Sequence, residues 1–271
     1  MDYSLSLSTL IALGANIFLA IVAPILLYIF VGKRHQCSGR VFFAGISTMI
    51  AFGVLVQMLI NVFFLPTAVG QFIYERPVLF ALFMGLVAAL IHEPGRYLCV
   101  KYFVGEELWD DHNALMFGVG YGSAAMLVSM LTSSLGNFLM AQMIITGQAN
   151  NYLQELPAEE MAAAMDSLET LCNTPLNDYL MIIVEPFIKT VAHTALSVMV
   201  WYAVQGGKKA VNYLLMAMGL GFVLEFAMAM VESYVAEATS VQILYAVLTA
   251  GVAYVAVRVW KKEFKPVNIE E

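Results

Sequence analysis

TLIALGANIFLAIVAPILLYIFVGKR, residues 9–34, decides the fold class. No side chain from Thr9 to Val31 is charged. At about 1.5 Å per residue, a helix of that length crosses a hydrocarbon core of roughly 30 Å. The run stops at Gly32, and Lys33 and Arg34 follow at once, as where a span reaches a membrane surface. The preceding MDYSLSLS has no Lys or Arg, so it lacks the basic n-region of a cleavable signal peptide. The run is expected to stay in the mature chain as its first span.

Working outward, the same pattern recurs. Apolar runs bounded by charge, Pro or Gly predict seven spans near 9–31, 41–65, 78–103, 113–135, 179–204, 209–232 and 239–260. Beyond Gly136 apolar character continues to Thr146, so the fourth span either runs long or breaks there. Of 271 residues 61% are hydrophobic and 12% charged, and the mean hydropathy is +0.79. A soluble domain is about 25% charged, so a soluble enzyme is excluded. Thirteen Lys and Arg against 20 Asp and Glu give a net charge of −7, which offers no basic surface for nucleic acid. The expected fold is all-α: one integral membrane domain over 1–271, a polytopic transmembrane helical bundle in contact with membrane lipid. Cys37, Cys99 and Cys172 form no CxxC pair, and no disulfide framework is expected.

Lys and Arg set orientation. Lys33, Arg34 and Arg40, then Arg96 and Lys101, then Lys208 and Lys209, then Arg258, Lys261, Lys262 and Lys265 fall on one side if seven spans begin outside. The expectation is a multi-pass protein of the bacterial cytoplasmic membrane, N-terminus outside and C-terminus cytoplasmic. From Tyr102 to Ile188 there is no Lys or Arg, yet 11 of the 20 acids lie there. This acidic stretch includes the extracytoplasmic segment 147–178. Within it Pro157, Glu159 and Glu160 suit a helix start, and Met161, Met165, Leu168 and Cys172 recur at helical spacing. A short amphipathic helix is expected there, on the outer membrane face or covering the bundle.

Ionisable groups at membrane depth cost about 2.5–3.5 kcal/mol on insertion scales and so need a partner or a purpose. The third span ends in His92-Glu93-Pro94-Gly95-Arg96. The fourth carries Gly118-Val119-Gly120-Tyr121-Gly122. The fifth has Glu185, Lys189 and His193, each four apart, and the sixth has Glu225. Counting along the helices puts Glu93 and His193 roughly 22 Å below the outer edge and Tyr121 about 12 Å above the inner edge, which are overlapping depths. Gly221 falls nearby, whereas Glu185, Lys189 and Glu225 form a higher set. Bland alternatives stand beside each. Glu185 and Lys189 can neutralise one another, His193 can be an ordinary interior histidine, and the glycines can serve close helix packing. Pro94-Gly95 is expected to break the helix, tolerable only inside a bundle or beside water.

The stretches EPGRYLCVKYFVGEELWDDHNALMFGVGYGSAAML and VEPFIKTVAHTALSVMVWYAVQGGKKAVNYLLMAMGLGFVLEF resemble the YhfC-type family of intramembrane proteases, distant relatives of the CAAX-processing proteases. The family pattern is Glu-Glu-x-x-Arg on one span and Gly-His-Gly on the next. A Glu-Arg then precedes a His on a later span, and His-x-x-x-Asp lies on the one after. Glu93 and Arg96 match the second Glu and the Arg, and His92 stands in place of the first Glu. Gly120 and Gly122 match the glycines, but Tyr121 replaces the His. Glu185 matches its Glu, with Pro186 in place of the Arg, and His193 matches its His. Gly221 and Glu225 take the places of the last His and Asp.

The resemblance implies a hydrolytic site at Glu93, His193 and Arg96, with His92 as a stand-in and Tyr121, Glu185, Lys189 and Glu225 lining a polar cavity. In such a site a Glu activates water, and histidines bind metal or hold the oxyanion. With two of three histidines replaced, three-His metal ligation is impossible from these positions. No metal and no other cofactor is expected. The leading expectation is a catalytically silent relative, a pseudoenzyme, whose cavity binds a transmembrane protein or peptide. The alternatives are an active intramembrane endopeptidase using Glu93 and His193, and a small-solute or ion pathway. His92 and Glu93, adjacent on an α-helix, are expected to face different ways.

Overall fold

The computed structural model describes residues 3–235 and 238–263, so Lys265 lies outside the described residues. Among these residues seven helices are long and apolar enough to cross a membrane. They are α1 (Leu7–His35), α2 (Gly39–Phe64), α4 (Pro77–Phe103), α5 (Asp111–Ile145), α8 (Leu176–Val204), α9 (Ala210–Tyr234) and α10 (Ala238–Glu263). Short helices α3 (Ala68–Tyr74), α6 (Ala149–Glu155) and α7 (Ala158–Asn173) lie between them. The chain is an all-α, multi-pass membrane protein. The fourth span takes the longer of its two expected courses, running past Gly136 as one helix to Ile145. The fifth is interrupted by a turn at Ile182 and Ile183. Pro186 has no N–H to return to Ile182, so the ladder is incomplete at that point.

The chain divides into two compact units, Met1–Ala23 with Leu127–Pro186, and Pro24–Met126 with Phe187–Glu271. The second unit carries the candidate site. Its core includes Val41, Phe42, Met116, Phe117, Met199 and Trp201, all buried. The glycines of α5 bring three helices together. Any Cβ on Gly120 would run into the carbonyl oxygen of Phe42, and one on Gly118 would stand 2.5 Å from Cα of Thr194. Gly122 meets Thr190 in the same way at 2.8 Å, and the Thr190 hydroxyl donates to the Gly122 carbonyl at 3.2 Å. Only hydrogen fits at these places. Close packing therefore accounts for the glycine run, with α2 on one face of α5 and α8 on the other.

The first unit has its own core, in which Leu13, Ala141 and Leu153 meet Leu168, Leu171 and Tyr179. The expected amphipathic helix is α7. Pro157 is its N-cap, and Glu159 and Glu160 lie in its first turn. Its apolar face packs on this core through Leu168 and Leu171, with Met165 and Cys172 beside them. The Tyr179 hydroxyl donates to the carbonyl of Leu171 at 2.9 Å, and the Asn16 amide donates to the Tyr179 carbonyl at 2.7 Å.

Candidate functional site

The site begins with a local fault in α4. Pro94 has no N–H for the carbonyl of Leu90, and its ring pushes that carbonyl away. The helix absorbs this without breaking. Ala88–His92 winds as a π-helix, and the Glu93 N–H reaches five residues back to the Ala88 carbonyl. Ordinary α-helix resumes at Glu93 and continues to Phe103. The expected break is thus a π-turn, a feature frequent at functional sites. It has a second consequence. A π-turn rotates less per residue than an α-helix, and His92 and Glu93 line one cavity instead of facing apart.

Arg96 organises the cluster. One terminal nitrogen donates to Oε1 of Glu93, and the other donates to Nδ1 of His193 at 2.8 Å. Because a guanidinium is only ever a donor, Nδ1 of His193 accepts, and the ring carries its proton on Nε2. The guanidinium lies 3.9 Å over the Tyr121 ring, which itself sits 4.9 Å, centroid to centroid, from the His193 ring. Arg96 is fully buried and Glu93 is 1% exposed. Arg96 was counted among the cations marking the inner surface; its burial removes it from that tally.

Gly221 faces this pair from α9. A Cβ there would stand 3.2 Å from Oε1 of Glu93. One turn further along α9, Glu225 lines the same cavity as Glu93. Glu185 belongs to the first compact unit and Lys189 to the second. Tyr245 of α10 also lines the cavity. Sequence offered no signal for it, since a tyrosine within a span is unremarkable. The cavity is small, with about 10 Å³ of space for the centre of a water, close to the minimum for one molecule. Four buried polar atoms of the cluster lack a hydrogen-bond partner: Nε2 of His92, Oε2 of Glu93, Nε of Arg96 and the Tyr121 hydroxyl.

The donor set does not fit a metal ion. Glu93 Oε1 and His193 Nδ1 are both held by the cationic Arg96, whose charge repels a metal ion beside them. Tyr121 is a poor metal ligand at neutral pH, and Gly221 contributes no side chain. Among the described residues no three His, Cys, Asp or Glu converge in a group that could hold one.

The family model described as YhfC intramembrane metalloprotease matches residues 18–247. The chain is 25% identical over 189 residues to a Bacillus subtilis (strain 168) protein described as an uncharacterized membrane protein, YhfC. That match covers 69% of this chain and 72% of the relative. No solved structure matches the chain. With the family model spanning most of its length, the chain belongs to the YhfC intramembrane metalloprotease family.

Proposed function

We propose that this chain is a catalytically silent member of its family, a multi-pass membrane protein whose Glu93, Arg96 and His193 form a fixed internal strut. The observation that carries this reading is the double hydrogen bond of Arg96 to Glu93 and His193. It occupies one carboxylate oxygen and the one family histidine that this sequence keeps. A cavity sized for a single water leaves no room there for a peptide.

On this reading the partner is a transmembrane helix that docks from the lipid side. A groove of about 310 Å³ in the second unit is lined by Val191, Thr194, Val198, Ala253, Val257 and Trp260. Its walls are almost wholly apolar, and the small residues Thr194 and Ala253 permit close backbone approach. The orientation that goes with it places the N-terminus outside. Lys33, Arg34, Lys101, Lys208, Lys209, Arg258, Lys261 and Lys262 then face the cytoplasm.

One observation favours a second reading, a metal-independent peptidase. The partnerless Oε2 of Glu93 and Nε2 of His92 border a cavity that holds one water, which a carboxylate could activate. His193, offering Nε2–H, would then serve as the donor to a developing oxyanion.

Purified protein in lipid nanodiscs, given a panel of transmembrane substrates, separates the two. The expected result is no cleavage and substoichiometric zinc by elemental analysis. Cleavage that Glu93→Gln abolishes, in a variant that keeps its thermal transition, would overturn the silent reading. For the partner, photocrosslinkers at Val191 and Val257 should trap a mapped transmembrane segment in cells, and Ala253→Leu should prevent this. Lipid adducts alone would dismiss the docked helix.

A further inference from the structure

We infer that the end of the bundle where α9 begins and α10 finishes holds a binding site for the headgroup of an anionic phospholipid. This goes beyond the proposed function and does not depend on it. An open pocket of about 710 Å³ lies there, between Tyr213 and Met216 of α9 and Tyr254, Arg258, Lys261 and Lys262 of α10. That is ample for a phosphoglycerol headgroup.

The charge in the pocket is distinctive in a chain of net charge −7. Glu263, next to Lys262 in sequence, is already engaged. It accepts from Lys209 Nζ at 3.1 Å and from the Tyr213 hydroxyl. Among the described residues no carboxylate forms an ion pair with Arg258, Lys261 or Lys262, and all three are exposed. Three cations thus share a concave surface that no carboxylate of the described residues lines.

The order of residues along α10 matches the order of groups along a phospholipid. Val247, Tyr254 and Arg258 share one face, at spacings of seven and four. Val247 is 62% exposed and Tyr254 64% exposed, so both are open to the surroundings of the bundle. At about 1.5 Å per residue, Tyr254 lies roughly 6 Å and Val247 roughly 16 Å from Arg258 along the helix. An acyl chain can run beside Val247, Tyr254 can sit at the interface where tyrosines concentrate, and the phosphate then meets Arg258. A guanidinium offers phosphate two parallel hydrogen bonds, and Lys261 and Lys262 supply the remaining charge one turn beyond. Basic pockets between transmembrane helices bind anionic headgroups by this combination.

Native mass spectrometry of the full chain, released from nanodiscs of phosphatidylglycerol and phosphatidylcholine in equal amounts, tests the assignment. The wild type should retain a phosphatidylglycerol adduct in preference to phosphatidylcholine. Removing Arg258, Lys261 and Lys262 together as Gln should erase that preference, by about fivefold for each cation lost. Lys33→Gln with Arg34→Gln, at the end of α1, should leave it intact. The pair Lys261→Gln and Lys262→Gln, both fully outside the core, gives the same test if the triple variant does not fold. A preference that survives the triple change, or that falls equally in the α1 variant, would overturn the site. Displacement of the adduct by millimolar inorganic phosphate would reassign it to a soluble anion and also overturn the lipid.

Discussion

Arg96 and His193, 97 residues apart in sequence, are joined by a direct hydrogen bond of 2.8 Å inside the bundle. The bond does two things. It links α4 to α8 at membrane depth, and it fixes the imidazole in the tautomer that leaves Nδ1 free to accept. Any chemistry attributed to His193 must therefore use Nε2.

This relationship makes Arg96 the residue whose loss should hurt most. Arg96→Met removes the counter-charge from a carboxylate that is 1% exposed. Breaking a buried pair in this way costs about 3–5 kcal/mol. Arg96→Lys keeps the charge but loses the planar fork that reaches Glu93 and His193 together, and should cost about 2 kcal/mol. Unfolding in mixed detergent micelles measures both. A loss below about 1 kcal/mol for Arg96→Met would mean that the cluster is not a strut.

Gly221 and Gly219 provide a matched comparison on α9. A Cβ at Gly221 would press on Glu93 Oε1 at 3.2 Å, whereas nothing lies within 4 Å of one at Gly219. Gly221→Ala is expected to cost about 1 kcal/mol, and Gly221→Leu about 3 kcal/mol, by forcing the carboxylate out of its place. Gly219→Ala should be neutral or stabilising by up to about 1 kcal/mol, since it only removes backbone freedom. Equal effects at both positions would deny that Gly221 is open because Glu93 is there.

Much of this was legible in the sequence because membrane insertion imposes long apolar runs, which are visible without any structure. All seven spans and α7 were anticipated. Glu93, Tyr121 and His193 were placed at compatible depths by counting residues, and they do meet, joined by Arg96, which was expected nearer the inner surface. What escaped was rotation about the helix axis. Depth follows from 1.5 Å per residue, but facing depends on an ideal 100° step, which the π-turn before Pro94 violates. His92 lines the cavity beside Glu93 just at the end of that π-turn. Glu225 was anticipated as a cavity-lining residue from its place in the family pattern, and it lines the cavity with Glu93, one turn from Gly221 on the same face. The short helices α3 and α6 had too few residues to show a period.

The loop between α1 and α2 offers a chemical test of burial and of topology together. Cys37 is half-buried, and its thiol donates to the His112 carbonyl at 3.4 Å. Burial, and secondarily the charge of Asp110, push its pKa from 9.0 up to about 11. The thiolate is the reactive form, so below pH 9 a shift of two units should slow maleimide labelling about 100-fold relative to the unfolded chain. The rate should climb about tenfold per pH unit and level off only near pH 11. Asp110→Asn should speed labelling by a smaller factor, because burial is the larger cause. In intact cells a membrane-impermeant maleimide should label Cys172, on α7, and spare Cys37 even at pH 8.5 over long exposure. Permeabilised cells should then show slow, pH-dependent modification of Cys37. Rapid labelling of Cys37 from outside, with Cys172 protected until permeabilisation, would reverse the proposed orientation.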